Sequence, residues 1–105
     1  MKYQIRFLSD AGTDWDDIRA YLSQFYESTA TTFFRLLKQK IAQLKDFPYS
    51  CPVYEDDPDY RRLVVGDYLV FYRVNESDKL VEIHRIFHGA RNIKQCLDES
   101  VHTSD

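Results

Sequence analysis

The first half of the chain has a pattern of apolar and polar residues that predicts one short strand followed by two helices. Apolar and polar side chains alternate over residues 3–8, which is typical of a strand with one buried face. Apolar residues then recur at helical spacing over residues 10–26 and again in a second helix, which Ser28 or Thr29 can cap and which extends to about Asp46. Because only residues 27–29 connect the two helical patterns, we expect an antiparallel helix hairpin.

The large apolar side chains of these elements define the surfaces that we expect to be buried. In the predicted strand they are Tyr3, Ile5 and Phe7. On the first helix they are Trp15, Ile18, Leu22 and Phe25. On the second helix they are Ala30, Phe33, Leu37, Ile41 and Leu44, with Phe34 beside them. Each helix therefore has one apolar face, which needs the other helix and a sheet to cover it.

The second half of the chain predicts three strands joined by turns. Residues 48–59 hold all three prolines and a run of acidic side chains, which favours turns. Strand patterns follow over residues 60–65, 68–74 and 80–88. The pair Gly66 and Asp67 is a two-residue hairpin signal, and residues 90–98 are expected to form a short final helix.

This order of elements predicts an α+β fold with the arrangement β-α-α-β-β-β. We expect an antiparallel sheet that packs one face against the helix hairpin, has a partly exposed second face and leaves one strand edge open. Residues 1–98 are interpreted as a single domain, and residues 99–105 as a polar C-terminal tail.

Composition agrees with a densely packed domain and argues against several functional classes. The 105 residues include 15% aromatic side chains but only three glycines and three prolines, which favours regular structure around a core. The N-terminal segment lacks the apolar run of a secretory signal, and no stretch is apolar enough to span a membrane. We therefore expect a cytoplasmic protein with no membrane partner. Cys51 and Cys96 form no metal or redox motif and are interpreted as buried or incidental thiols.

No motif in the sequence points to a cofactor or a metal ion. There is no glycine-rich phosphate loop, no zinc-protease motif and no nucleophile elbow. Four acids near the start of the first helix resemble a metal site in composition alone, and they are Asp10, Asp14, Asp16 and Asp17. They lack the glycine and the terminal glutamate of a calcium loop, so we interpret them as residues that favour the helix start through its dipole.

Charge is unevenly distributed along the chain. The formal net charge is −3, but residues 60–96 carry seven basic and four acidic side chains, and five of the seven are arginines. Planar guanidinium groups suit the recognition of phosphates or carboxylates. The same arginines are compatible with solvated ion pairs to the acidic turn and to the helices. The charge pattern leaves both interpretations open.

Alternation along the last strand separates its side chains into two faces. It places Val81, Ile83, Arg85 and Phe87 on one face, and Leu80, Glu82, His84, Ile86 and His88 on the other. His84 and Glu82 are interpreted as a structural pair. His88 precedes Gly89, and Arg91 follows three residues later, so a turn can bring both side chains to one ligand. An imidazole can act as a general acid near neutral pH, although a hydrogen bond to nearby backbone fits the same spacing.

Three segments carry a resemblance to a known family. They are WDDI at residues 15–18 with Tyr21 and Leu22, LKDFP at 44–48 with YRRLVVGDYLVFYRV at 60–74, and IFHGARN at 86–92. In this order and spacing they resemble the RelE/ParE superfamily of toxins from bacterial type II toxin–antitoxin systems, and the last segment is closest to the ParE branch. The resemblance covers about residues 3–95 and implies the same fold as the pattern of elements.

The resemblance implies a growth-inhibiting toxin that a cognate antitoxin neutralises, and a homodimer or a heterotetramer with the antitoxin fits such a system. Antitoxin contacts are expected on the hairpin, at Trp15, Ile18, Leu22, Phe33, Leu37 and Ile41. Contacts with the cellular target are expected at Arg61, Arg62, Tyr68, Arg73, His88 and Arg91. The family's antitoxins contribute an extended segment and a helix, for which an open sheet edge and a hairpin groove are suitable receptors.

Members of this superfamily act on different targets, and the sequence favours one of them. ParE-like toxins inhibit DNA gyrase without a known catalytic group, whereas RelE-like toxins cleave mRNA on the ribosome. Leu69 and Gly89 stand where the ribonuclease branch has an arginine and, in many members, a tyrosine. The acidic net charge also disfavours docking on RNA. The leading hypothesis is therefore gyrase inhibition by binding.

Two alternatives remain open at this point. The first is a ribosome-dependent mRNA endonuclease, whose candidate catalytic residues are His88, Arg91, Arg61 and Arg73. In that mechanism His88 protonates the leaving oxygen, while the arginines stabilise the phosphate. The second is a partner-binding domain of the same fold that is not toxic.

Overall fold

The chain folds in the predicted order β-α-α-β-β-β. The computed structural model describes residues 2–25 and 27–89. Its helical part follows strand β1 (Gln4–Phe7) and consists of α1 (Ser9–Ser23), α2 (Glu27–Ala42) and a short 3-10 turn (Gln43–Lys45). The remaining strands are β2 (Arg61–Val65), β3 (Tyr68–Asn75) and β4 (Leu80–His88). The predicted final helix over residues 90–98 lies outside the described residues.

The four strands form one mixed sheet in the order β1-β4-β3-β2. β2, β3 and β4 pair antiparallel through two hairpins, as expected. β1 pairs parallel with β4, so the prediction of a fully antiparallel sheet is wrong at this edge. Alternation within a strand indicates its buried face but not its partner, and here the first strand pairs with the last.

Each face of the sheet has its own core. The front face, which we define as the face toward α1 and α2, packs Val65, Val70, Tyr72, Val81 and Ile83 against Leu37, Ile41 and Leu44 of the helical part. The back face holds a smaller cluster of Tyr60, Phe71 and Phe87, with Tyr54 and Leu69 against it. Because Tyr54 and Tyr60 belong to the turn-rich segment, that segment covers part of the back face.

Several predicted core residues lie at the surface instead. Phe7 is 40% exposed at the end of β1, and Phe25 is 59% exposed because α1 ends at Ser23 rather than at residue 26. In α2, Phe34 is buried while Phe33 is only half-buried. The helix spacing predicted the apolar stripe correctly, but the position of the sheet decides which side of the stripe is covered.

A β-bulge in β4 changes the predicted faces of that strand. Phe71 of β3 lies opposite Arg85, whereas the next residue, Tyr72, lies opposite Ile83. His84 is therefore an extra residue in β4 and shifts the alternation by one position. As a consequence Ile86 shares the front core with Ile83, contrary to the predicted alternation.

A buried ion pair joins α1 to the part of β4 that β1 does not reach. β1 pairs only with the first four residues of β4. Beyond them the Asp14 carboxylate accepts hydrogen bonds from Arg85 Nε at 2.7 Å, from Arg85 Nη2 at 3.2 Å and from the backbone N–H of Ile86 at 2.9 Å. Asp14 and Arg85 are each 8% exposed. We interpreted Asp14 as a helix-start acid. In the structure its carboxylate instead accepts the hydrogen bond from the Ile86 N–H that the carbonyl of a neighbouring strand would otherwise accept.

Replacing Asp14 with alanine is expected to lower the free energy of unfolding by about 3–5 kcal/mol, because the buried guanidinium loses its two-point carboxylate partner and Ile86 loses an acceptor. Urea denaturation measures the change. Asp17→Ala, an exposed acid on the same helix, is the control and is expected to stay within about 0.5 kcal/mol of the parent. A similar small loss for Asp14→Ala would contradict the structural role of the pair.

Candidate functional site

An apolar cavity opens between β1 and the helix hairpin. Its volume is about 550 Å³, and Ile5, Phe7, Trp15, Ile41 and Ala42 supply its apolar lining. The remaining lining residues are Gly12, Asp16, Lys38 and Lys45. Cavities of this size with mostly apolar walls are typical binding sites for side chains or small ligands.

A second cavity of about 430 Å³ continues the first between α1 and α2. Trp15 and Lys38 line both cavities, so we describe the two together as the hairpin groove. The second part is more polar, and its lining consists of Trp15, Arg19, Ser23, Glu27, Ala30, Thr31, Phe34, Arg35 and Lys38. The Trp15 ring stands between Phe7, at 5.4 Å between ring centroids, and Phe34, at 4.8 Å. Trp15 therefore forms the central wall of the groove.

The six residues predicted to contact the antitoxin divide between the groove and the core. Trp15 and Ile41 line the groove. Leu37 and Ile18 are 0% and 8% exposed in the front core, and Leu22 and Phe33 are half-buried against it. Sequence reasoning missed other lining residues, namely Ile5, Phe7, Gly12, Lys38 and Lys45. Gly12 was the available signal in the sequence, because glycine is unfavourable inside a helix. In the structure a Cβ built at this position meets no neighbouring atom within 4 Å.

Tyr68 and His88 lie directly opposite each other at the ends of β3 and β4. Their rings are in edge-to-face contact at 5.3 Å, and Phe33 lies 4.9 Å from Tyr68. Burial, with further contributions from the nearby Tyr21 and Asp67, raises the pKa of Tyr68. Tyr21 and Phe25 contact each other at 5.3 Å and are 54% and 59% exposed. We call this group the aromatic end, and its members are Tyr21, Phe25, Phe33, Tyr68 and His88.

The predicted target-binding arginines do not join the aromatic end. Arg61 points to the front side, where its Nη1 donates to the carbonyl oxygens of Cys51 at 2.7 Å and Tyr49 at 3.4 Å. Arg62 and Arg73 lie on the back face by register, since they pair with Phe71 and Glu82. Arg73 forms an ion pair with Glu82 at 3.6 Å. Arg91 lies outside the described residues.

The bulge at His84 separates His88 from these back-face arginines. Regular alternation would place His88 on the back face with Glu82, but the extra residue returns His88 to the front face beside Tyr68. Acidic residues also lie near the back-face arginines. Burial raises the pKa of Tyr60, the charge of Arg73 lowers it, and Asp57 and Asp59 raise it further, so all three charges lie close to Tyr60. Glu82 pairs with Arg73 directly. The back face is therefore a mixed-charge surface rather than a basic one.

His84 has a different partner from the one that the sequence predicts. Its Nδ1 lies 3.3 Å from the Tyr60 hydroxyl, and the two rings are in edge-to-face contact at 4.8 Å. Glu82, the predicted partner, pairs with Arg73 instead. The Nε2 atom of His84 is buried and has no hydrogen-bond partner among the described residues. Burial and, next, the charge of Arg73 lower the pKa of His84, against weaker opposing effects of Glu82, Asp10 and Asp57.

A polar cluster around Glu76 was not predicted. The hydroxyl of Tyr3 and the ammonium of Lys79 donate to the Glu76 carboxylate at 2.7 Å, and the Tyr49 hydroxyl donates to it as well. Hydrogen bonds from Lys79 and then the tyrosines lower the pKa of Glu76 to about 2, and the bond to Glu76 raises the pKa of Tyr49 to about 12. The cluster joins β1, the turn-rich segment and the β3–β4 turn, which is a structural role.

Neither a metal site nor a membrane segment is found in residues 2–25 and 27–89. In this part of the chain, no three side chains of His, Cys, Asp or Glu lie close enough together to hold a metal ion. None of its helices combines the length and apolarity needed to cross a bilayer.

Known structures of toxins have the same fold as this chain. A chromosomal ParDE toxin–antitoxin system from P. aeruginosa contains a chain that matches with a TM-score of 0.70 at 16% identity, over 83% of this chain and 96% of that one. A mutant of the E. coli toxin RelE in the free state matches with a TM-score of 0.65 at 16% identity, over 98% of both chains. A chain of the RelBE2 toxin–antitoxin complex from Mycobacterium tuberculosis matches with a TM-score of 0.59 at 18% identity, over 84% of this chain and 99% of that one. The fold is thus that of the RelE/ParE superfamily.

The sequence assigns the chain more narrowly within that superfamily. Residues 5–93 match the family model described as ParE toxin of type II toxin-antitoxin system, parDE. The chain therefore belongs to the ParE toxin family and is the toxin component of a type II toxin–antitoxin system. No curated protein sequence matches it.

The stability of the protein is expected to decrease as the pH falls below about 6.5, because the pKa of His84 is lower in the folded protein than in the unfolded chain. The contribution of His84 to the free energy of unfolding is complete above the pKa of this residue in the unfolded chain. It is lost progressively at lower pH, because the unfolded chain then binds a proton at His84 that the folded protein does not bind. Urea unfolding between about pH 8 and pH 5 measures the slope. His84→Gln should flatten it, and His88→Gln, at an exposed position, should retain it. An unchanged slope in His84→Gln would show that other groups cause the pH dependence.

Proposed function

We propose that this toxin inhibits growth by binding DNA gyrase, and that it acts as a binding poison without a catalytic step. The observation that carries the proposal is the separation of its candidate reactive groups. His88 lies on the front face, Arg62 and Arg73 lie on the back face, and Arg61 is hydrogen-bonded to backbone carbonyls. Phosphodiester cleavage needs an acid, a base and a cation at one phosphate, and these described residues do not converge on one point.

The electrostatics of the back face also favour a protein target over RNA. A protein that docks on RNA neutralises several phosphates with Lys and Arg side chains. On this face Glu82 pairs with Arg73, and the acids of the turn-rich segment lie nearby. The net charge of the whole chain is −3. A polyanion on this face would therefore meet carboxylates as well as arginines.

The aromatic end has the composition of a protein-binding surface. Exposed aromatic side chains are enriched at the centre of protein interfaces, where they supply most of the binding energy. Tyr21 and Phe25 are more than half exposed here and continue into Phe33, Tyr68 and His88. We therefore propose that the aromatic end, with Tyr68 and His88 from the predicted set, contacts gyrase. In this proposal Arg61 supports the fold, and Arg62 and Arg73 make peripheral contacts.

A RelE-like endonuclease is the second candidate function. The observation in its favour is the match to the free RelE structure over 98% of both chains. His88 is exposed at the end of β4 and retains the position of a candidate general acid. The third candidate is a partner-binding domain that has the same fold but is not toxic. It differs from the other two in that its expression would cause no growth defect.

Induction of the protein without its antitoxin is expected to stop growth and to leave mRNA intact, while the purified protein inhibits supercoiling by gyrase. Phe25→Ser should raise the inhibitory concentration about tenfold, since it removes one ring of an interface centre. Phe47→Ser is the matched control, because Phe47 is 66% exposed outside the aromatic end.

Ribosome-bound mRNA cleavage that His88→Ala abolishes would refute the gyrase proposal and support the endonuclease. The absence of any growth defect on induction would support the non-toxic domain instead. Equal effects of the two phenylalanine substitutions on supercoiling would show that gyrase contacts the protein elsewhere.

We further propose that the antitoxin neutralises the toxin by occupying the hairpin groove. Two features support this. The groove has an apolar wall around Trp15, and β1 is a four-residue edge strand whose only strand partner among the described residues is β4. A helix in a groove and an added strand at an edge are common forms of peptide recognition. A heterotetramer with the antitoxin is the assembly that we expect, and both proteins are expected to act in the cytoplasm.

Gly12→Phe is expected to weaken antitoxin binding strongly while the protein stays folded and toxic. Gly12 lines the groove, and a Cβ built there meets no neighbouring atom within 4 Å, so we expect the added ring to occupy the cavity and exclude the partner. Isothermal titration with the antitoxin encoded beside the toxin gene measures the affinity. Gly12→Ala is the control, which should bind normally and gain up to about 1 kcal/mol in stability from helix propensity.

Hydrogen exchange of the complex supplies the complementary readout, since groove amides on α1 and α2 should gain protection. Unchanged affinity in Gly12→Phe, with protection confined to the back face, would refute docking in the groove.

A further inference from the structure

The charged side chains that line the hairpin groove are mostly basic. The basic ones are Arg19, Arg35 and Lys38 in the part between the helices, and Lys45 near β1. The acidic residues of the same lining are Asp16 and Glu27. The groove is thus locally basic on a chain whose formal net charge is −3.

Within residues 2–25 and 27–89, the four cations of the groove form no ion pair with a carboxylate. The ion pairs of this part of the chain join Arg73 to Glu82, Lys79 to Glu76 and Arg85 to Asp14, and all three lie outside the groove. Arg19, Arg35 and Lys38 are also exposed. Their charges therefore remain available to a bound partner.

Helical spacing fixes where these charges lie relative to the apolar wall. Arg19 is four residues after Trp15 on α1, and Lys38 is three residues after Arg35 on α2, so each pair lies on one side of its helix. Because Trp15 and Lys38 line both cavities, the basic part begins where the apolar part ends. A partner with an apolar side chain against Trp15 would place its next helical turn among the cations.

The length of the groove favours a helical partner. Its lining on α2 and the following turn extends from Glu27 to Lys45, which is about 27 Å at 1.5 Å per residue. A helix of about 18 residues has the same length. All lining residues except Ile5 and Phe7 belong to α1, α2 and the turn after α2, so a helix laid between them contacts the groove throughout.

We propose that the basic part of the groove is a carboxylate-recognition site that selects which antitoxin this toxin accepts. The partner is an amphipathic helix whose apolar face contacts Trp15 and whose flanking positions carry Glu or Asp toward Arg19, Arg35 and Lys38. The inference rests on the proposed docking of the antitoxin in the groove. Exposed ion pairs add little affinity, so the apolar contact holds the partner while the charges discriminate between partners and speed association.

Three synthetic helical peptides of about 18 residues test the proposal. They share one apolar face of Leu and Ile, and their flanking positions carry Glu, Gln or Lys. Fluorescence anisotropy with the full-length toxin measures their affinities at about 0.05 M and 0.5 M salt. The Glu peptide is expected to bind about tenfold more tightly than the Lys peptide at low salt, and the difference should shrink at high salt.

Charge reversal in the toxin should reverse this preference. The double variant Arg19→Glu and Arg35→Glu is expected to favour the Lys peptide over the Glu peptide. Lys2→Glu is the control, because Lys2 is exposed before β1 and lines neither cavity. It is expected to retain the preference of the parent protein.

The outcomes separate this inference from the docking proposal on which it rests. Equal affinity for all three peptides, with binding that Gly12→Phe abolishes, would overturn carboxylate recognition and leave docking in the groove intact. Binding that Gly12→Phe does not change, or no binding of any peptide, would overturn both.

Discussion

The buried pair between Asp14 and Arg85 joins α1 to β4 and so positions the helix that forms one wall of the groove. β1 has four residues and β4 has nine, so in residues 2–25 and 27–89 no strand pairs with the second half of β4 on that side. Asp14 supplies the missing acceptor for Ile86 and neutralises the guanidinium beside it. Because a desolvated charge or N–H without a partner is costly, α1 is held against this edge. Its opposite side, with Gly12, Trp15 and Arg19, is thereby turned outward and forms the groove.

One extra residue in β4 determines the chemistry of the two sheet faces. The bulge at His84 lets Ile83 and Ile86 share the front core. It also moves His88 to the front, next to Tyr68, and away from Arg62 and Arg73. His88 and the back-face arginines Arg62 and Arg73 are therefore on opposite sides of one sheet. The same shift places His88 in the aromatic end, where it contacts Tyr68. The surface of the aromatic end consists mainly of large rings rather than charged groups.

Much of the fold, but only part of the candidate site, could be predicted from the sequence. The order of elements and the hairpin signal at Gly66 follow from local patterns, which short-range backbone preferences determine. Trp15, Ile41, Tyr68 and His88 were predicted as binding residues, and they lie on accessible surfaces or line the groove. Leu37 was predicted for the same surface but lies in the core. The positions of Gly12 and of the cations in the lining of the groove could not be predicted, because they depend on how α1 lies against α2 and β1.

Local sequence patterns predict the α+β class, the helix hairpin and the three consecutive C-terminal strands, and the sequence motifs predict membership of the toxin family. These properties are encoded in periodicity and in motifs that lie close together along the chain. Three features could be seen only in the folded protein: β1 pairs with β4, Asp14 is a buried partner rather than a helix-start acid, and His88 lies on the opposite sheet face from Arg62 and Arg73. Each of these depends on contacts between residues far apart in the sequence, and on a single-residue shift in register that local alternation does not reveal.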